Sequence, residues 1–138
     1  MSDEDNSSKG SSLSRPKKIL LVEDDDNLAT VYKSRLEAEG FSVERVEDGE
    51  KALATAVKFK PDLILLDLMM PKISGFDVLD ILRNTPETGR AKFVMLTALG
   101  QETDKKRAHA LGADDYIVKS QVAIADVVEK VKQHLGNE

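Results

Sequence analysis

Four short apolar runs, each closing in a polar residue with chemical reach, constrain this chain more than any other feature. Lys18-Ile19-Leu20-Leu21-Val22 runs into Glu23-Asp24-Asp25-Asp26, and Leu63-Ile64-Leu65-Leu66 closes in Asp67, with Pro71 four residues on. Phe93-Val94-Met95-Leu96 ends in Thr97, and Tyr116-Ile117-Val118 ends in Lys119. Unbroken runs of this length and composition read as strands buried on both faces. A carboxylate at the end of such a run is costly to desolvate alone, so each acid calls for a partner or a metal.

Helical spacing fills the intervals. Leu28, Val31, Tyr32 and Leu36 predict a helix from about Asn27 to Glu39, with Gly40 as its stop. Phe41 to Val46 alternates only partly and suggests a half-exposed edge strand. Asp48 is placed to cap a helix carrying Ala52, Leu53, Ala56 and Val57, and Pro61 closes that connection. Phe76, Leu79 and Leu82 mark a third helix to about Asn84, and a fourth ends at Leu111 and Gly112. Ile124, Val127, Val128, Val131 and Leu135 form the stripe of a fifth. Five strand and helix units between Lys17 and Leu135 predict an α/β, doubly wound five-stranded parallel sheet with helices on both faces. Residues 1–16, rich in serine and poor in apolar side chains, are expected to be a disordered N-terminal tail, leaving 17–138 as one domain.

Composition narrows the function. With no cysteine among 138 residues, neither disulfides nor thiolate metal sites are available. No apolar run approaches the roughly 18 residues of a membrane span, so no membrane insertion is expected and the cytoplasm is the default compartment. A net charge of -5 and a pI near 5.1 argue against direct nucleic-acid binding by the domain's own field.

In an open parallel sheet, ligands sit beyond the carboxyl ends of the strands. Glu23, Asp24, Asp67, Thr97 and Lys119 all lie at such ends. Two charges about 4 Å apart repel by roughly 1 kcal/mol in water and about 4 at an effective dielectric of 20, so the acids require a cation. Oxygen donors without Cys or a nearby His suit magnesium. A carboxylate beside such an ion, a hydroxyl and an ammonium is a site for moving a phosphoryl group onto the carboxylate, with Asp67 as nucleophile. A phosphatase built on an aspartyl nucleophile would need a second acid where Met69 stands. A flavodoxin-like cofactor binder would need a glycine-rich loop where the chain has Glu23 to Asp26.

These motifs, Glu23-Asp24, Leu63 to Pro71 around Asp67, Leu96-Thr97-Ala98 and Tyr116 to Lys119, resemble the CheY-like receiver domain of bacterial two-component response regulators, from Lys17 to about Gly136. The resemblance implies strand order 2-1-3-4-5 and a phosphoacceptor switch rather than an enzyme with an external substrate. Asp67 would take a phosphoryl group from a sensor histidine kinase or phosphotransfer protein. Asp24 would bind Mg2+ directly, Glu23 mainly through water, and the Met69 carbonyl would complete the ligands. Lys119 and Thr97 would meet the phosphoryl oxygens, and Tyr116 would turn inward to change the surface of the fourth helix, fifth strand and fifth helix for a downstream protein target. One departure is Ser120, where the family ordinarily has proline. It predicts a trans Lys119–Ser120 bond with a rearranged loop, or a cap for the last helix. His109 and His134 are expected on helix surfaces, and Lys105, Lys106 and Arg107 as a solvated basic patch. With no DNA-binding or catalytic domain after the last helix, the expectation is a receiver that acts by protein contact or phosphorelay, or one that belongs to a longer protein.

Overall fold

The computed structural model describes residues 15–136, so the expected tail, apart from Arg15 and Pro16, lies outside the described residues. In chain order the elements are β1 (Lys18–Val22), α1 (Asp26–Ala38), β2 (Ser42–Val46), α2 (Gly49–Phe59), β3 (Leu63–Leu66), α3 (Gly75–Arg83), β4 (Lys92–Thr97), α4 (Glu102–Ala110), β5 (Asp115–Val118) and α5 (Ile124–Leu135). The five strands form one parallel sheet in the order β2-β1-β3-β4-β5. The winding therefore reverses between β1 and β3, and the crevice at their carboxyl ends is where Glu23 and Asp67 emerge.

Alternation along the strands divides the core. Leu20, Val22, Ile64, Leu66, Phe93 and Met95 pack with Ala52 and Ala56 of α2, with Phe76, Leu79 and Leu82 of α3, and with Ala108 of α4. Their neighbours Ile19, Leu21, Leu63, Leu65, Val94 and Leu96 pack with Tyr32 and Leu36 of α1 and with Val127, Val128 and Val131 of α5. β3 is buried at every residue, whereas the edge strand β2 buries only Val43 and Val46. A central strand has apolar neighbours on both faces and an edge strand has solvent beside it.

Helix starts separate into two groups. Asp25, Asp48 and Ser74 cap α1, α2 and α3, accepting from the backbone N–H groups of Leu28 (3.0 Å), Lys51 (2.8 Å) and Phe76 (3.2 Å). α4 has no side-chain cap, and Ala108 is its one buried residue. Arg107 is exposed, as expected of the basic patch, yet its guanidinium lies 4.0 Å from the centroid of the Phe76 ring, tying α4 to α3. Ser120 does not cap the last helix. It sits in a 3-10 turn over Lys119–Gln121, and Asp126 accepts from the Ala123 N–H at 3.0 Å instead. His134 is not free on its surface either, since its Nε2 meets Asp115 Oδ2 at 2.9 Å and joins α5 to β5.

Arg83 closes the opposite end of the sheet from the acids. Its Nε and Nη2 donate to the Gly112 carbonyl (3.1 and 2.7 Å), and its Nη1 donates to the Gly89 and Ala91 carbonyls (2.9 and 3.0 Å). Nη2 also donates to Asp114 Oδ2 at 2.7 Å, and the guanidinium lies 4.6 Å from the Phe93 ring. Truncation to Ala strands several of these acceptors, so Arg83→Ala is expected to lower stability by about 2–3 kcal/mol in urea unfolding. Arg83→Lys, which cannot fork across three carbonyls, should recover less than half of that. A midpoint shift under a quarter of the expected size would refute the latch.

Candidate functional site

Each strand end supplies a side chain because the parallel register brings the ends level. Val22 pairs with Leu66, and Thr97 with Val118, so Glu23, Asp67 and Lys119 each follow a level strand residue. Asp67 is 5% exposed and Glu23 1%, whereas Asp24 is exposed. One carboxylate oxygen from each of Glu23, Asp24 and Asp67 lies within 4.8 Å of the others. Lys119 reaches across β4 and places its Nζ 2.7 Å from Glu23 Oε1 and 2.8 Å from Asp67 Oδ2. The Lys119–Ser120 bond is trans, and the lysine still arrives.

The remaining oxygens are held by backbone donors. Met69 N–H donates to Asp67 Oδ1 at 3.0 Å, and Asp25 N–H donates to Glu23 Oε2 at 3.1 Å. Burial raises the pKa of Glu23 more than Lys119 and the Asp25 N–H lower it. For Lys119, burial works against the charge, but hydrogen bonds to Asp67 and Glu23 outweigh it and hold the ammonium above its ordinary pKa. Three acids and one ammonium leave a negative pocket of hard oxygen donors, which fits a small divalent cation.

Gly75 sets how closely α3 approaches this pocket. A Cβ there would lie 2.3 Å from the Asp67 carbonyl oxygen and 2.5 Å from the Leu68 Cα. Only glycine lets the start of α3 pass directly beneath the acid. On the other side, Thr97 is fully buried, and its Oγ1 accepts from the Leu99 N–H at 3.3 Å. The Leu99 carbonyl in turn accepts from the Tyr116 hydroxyl at 2.7 Å. Thr97 and Tyr116, named separately from the sequence, are thus joined through one loop residue, Leu99.

A family model described as the response regulator receiver domain matches residues 19–132. The chain belongs to this family. It is 44% identical over 102 residues to the phosphate regulon transcriptional regulatory protein PhoB of Rhizobium meliloti, covering 74% of this chain and 45% of that protein. It is likewise 44% identical over 102 residues to the DNA-binding dual master transcriptional regulator RpaA of Synechocystis, covering 74% of this chain and 42% of that protein. Among solved structures, the Mn(2+)-bound form of response regulator Rcp1 matches with a TM-score of 0.76 at 29% identity, covering 86% of this chain and 93% of that one. As a receiver, the chain is a switch component of two-component signalling, and the strand order expected of it is the one observed. The chain spans less than half the length of the curated relatives named. They also correct one expectation, that nucleic acid is not a partner: these relatives are transcriptional regulators and one is DNA-binding. Net charge measures the field of this receiver alone and carries no such exclusion for the proteins in which receivers work. No described helix is long and apolar enough to cross a membrane.

Tyr116 makes the site testable by titration. Burial first, then the charges of Asp104 and Asp67, push its phenol up to about 12, and burial also raises Tyr32. An unfolded tyrosine ionises near 10. The folded state therefore holds the proton more tightly, and its contribution to stability is full below about pH 10 and lost as pH rises through about 12. Native protein at pH 10 should show little phenolate absorbance, urea-unfolded protein about half of the full signal, and Tyr116→Phe should lack the step near 12. A half-ionised pair of tyrosines at pH 10 in folded protein would contradict the half-buried, hydrogen-bonded hydroxyl of Tyr116.

Proposed function

We propose that Asp67 is the phosphoacceptor of this receiver and takes its phosphoryl group from a histidine kinase or a phosphotransfer protein. The observation that carries the reading is the meeting of three carboxylates with one ammonium at the reversal of the sheet. Glu23, Asp24, Asp67 and the Met69 carbonyl would hold a magnesium ion, which neutralises both the acids and the incoming phosphoryl oxygens. The Asp67 carboxylate attacks phosphorus, an oxygen–phosphorus bond forms as the bond to the donor's nitrogen breaks, and the proton taken up by that nitrogen stays with the donor. Lys119, freed from one carboxylate oxygen, follows the charge onto a phosphoryl oxygen. The Thr97 hydroxyl turns to the same group, and the Leu99 loop and Tyr116 move with it, carrying the change to α4, β5 and α5 for a protein target.

In this reading the chain assists its own phosphorylation, so a small-molecule donor suffices. Intact mass after incubation with magnesium and acetyl phosphate should show one added phosphoryl group, lost with chelator and lost in Asp67→Asn. Labelling of that variant at the parent's rate would assign the nucleophile elsewhere.

We also infer slow self-dephosphorylation. Hydrolysis needs a water in line with the phosphorus, and the side chains best placed to orient one are those two residues after Asp67 and Thr97. These are Met69, which is 54% exposed at the mouth of the pocket, and Leu99, which is half-buried. Neither makes a strong hydrogen bond to water. Met69→Asn with Leu99→Glu should speed loss of the phosphoryl group on the order of ten-fold, about 1.4 kcal/mol of barrier, in decay after donor removal. Equal or slower decay would reject the shielding.

A further inference from the structure

Arg45 belongs to no motif and lies on the edge strand, yet its side chain runs to the loop that carries the acids. Its Nε and Nη2 both donate to the backbone carbonyl of Glu23, at 2.9 and 2.7 Å, and its Nη1 lies 2.9 Å from Asp26 Oδ1. We infer that Arg45 is a positioning residue for the cation site, holding the Glu23–Asp24 peptide so that both carboxylates face the pocket. The inference rests on the magnesium reading given above.

The Glu23 backbone is held from β2 at both its polar groups, since its N–H donates to the Val46 carbonyl at 3.1 Å. A peptide unit is planar, so fixing the Glu23 carbonyl also fixes the direction of the Asp24 N–Cα bond. Glu23 and Asp24 therefore stand on a platform whose tilt is set by the arginine. Asp24 is exposed, and packing does little to orient it. A guanidinium is suited to this task because the N–H groups of its Nε and Nη2 converge on one oxygen in a rigid plane, which an ammonium cannot reproduce.

The alternative is that Arg45 merely balances charge. Asp26 is 87% exposed, so that ion pair contributes little, and the N-terminus of α1 disfavours a cation beside it. The two roles predict opposite signs for cation binding. Removing a positive charge near a cation site should tighten binding, whereas releasing the platform should weaken it.

Mg2+ titrated calorimetrically into the parent, Arg45→Ala, Arg45→Lys and Asp24→Asn, with thermal melting of each in chelator, separates these outcomes. Arg45→Ala should bind Mg2+ about ten-fold more weakly, as loss of a residue supporting a metal ligand typically does. Arg45→Lys should fall between it and the parent although the charge is kept. Melting temperatures in chelator should shift by only a few degrees, so that weaker binding does not reflect partial unfolding. Binding by Arg45→Ala as tight as the parent's or tighter, or parent-like binding by Arg45→Lys, overturns the positioning role. If Asp24→Asn loses binding in the same series, the magnesium reading stands independently of Arg45. A parent that binds no Mg2+ overturns both.

Discussion

A half-buried ammonium shared between two buried carboxylates holds the working end of this molecule together. Taking an ion out of water costs several kcal/mol after relaxation, and only close, well-satisfied pairing offsets that. Lys119 meets the condition twice, with Glu23 and with Asp67, while backbone N–H groups occupy the other carboxylate oxygens. The three residues come from the ends of β1, β3 and β5, so the contact exists only when the whole sheet is in register. Lys119 has to cross β4, the strand between β5 and β3, to reach Asp67. Among side chains, few are long and flexible enough to make that crossing and still deliver a point charge.

What could be read from the sequence, and what could not, follows from the kind of partner each residue has. Asp67 and Lys119 were legible because a charge that ends an apolar strand has nowhere to go but the rim of the sheet. Asp48 was legible because a cap bonds to a backbone three residues away, at a fixed spacing. Arg45 and Arg83 were not, since their partners are mostly carbonyl oxygens, 22 residues away for Arg45 and 6, 8 and 29 for Arg83, and a carbonyl leaves no mark in the sequence. Ser120 was misread for a related reason: a serine before a helix suggests a cap, but the helix begins later and its first turn is closed by Asp126 reaching back. The exclusion of nucleic acid failed because it treated the charge of one domain as a property of every protein that contains such a domain.

The loop after Lys119 shows how a departure from the family pattern is absorbed. With serine rather than proline after the lysine, the peptide bond is trans, and the 3-10 turn over Lys119–Gln121 takes up the change in direction before α5. The position of the ammonium is then fixed by its two carboxylate partners more than by the backbone that follows it. Charge complementarity here tolerates a different loop because the lysine stem supplies four rotatable bonds between backbone and contact.

α4 differs from every other helix in how little holds it. α1, α2 and α3 each have a side-chain cap and bury at least three residues, whereas α4 has no cap, buries Ala108 alone and leans on Phe76 through Arg107. The free energy needed to open or shift a segment scales with what is buried and bonded in it. α4 therefore sits in a shallow well on an otherwise deep landscape, with an edge formed by the loop that joins Thr97 to Tyr116. A rearrangement of one or two hydrogen bonds, about 1–2 kcal/mol, is negligible against the core yet comparable to the depth of that well. Backbone amides of α4 should accordingly be the first among the helices to exchange with solvent deuterium. The helix would act as a compliant reporter mounted on a frame too stiff to register the same disturbance.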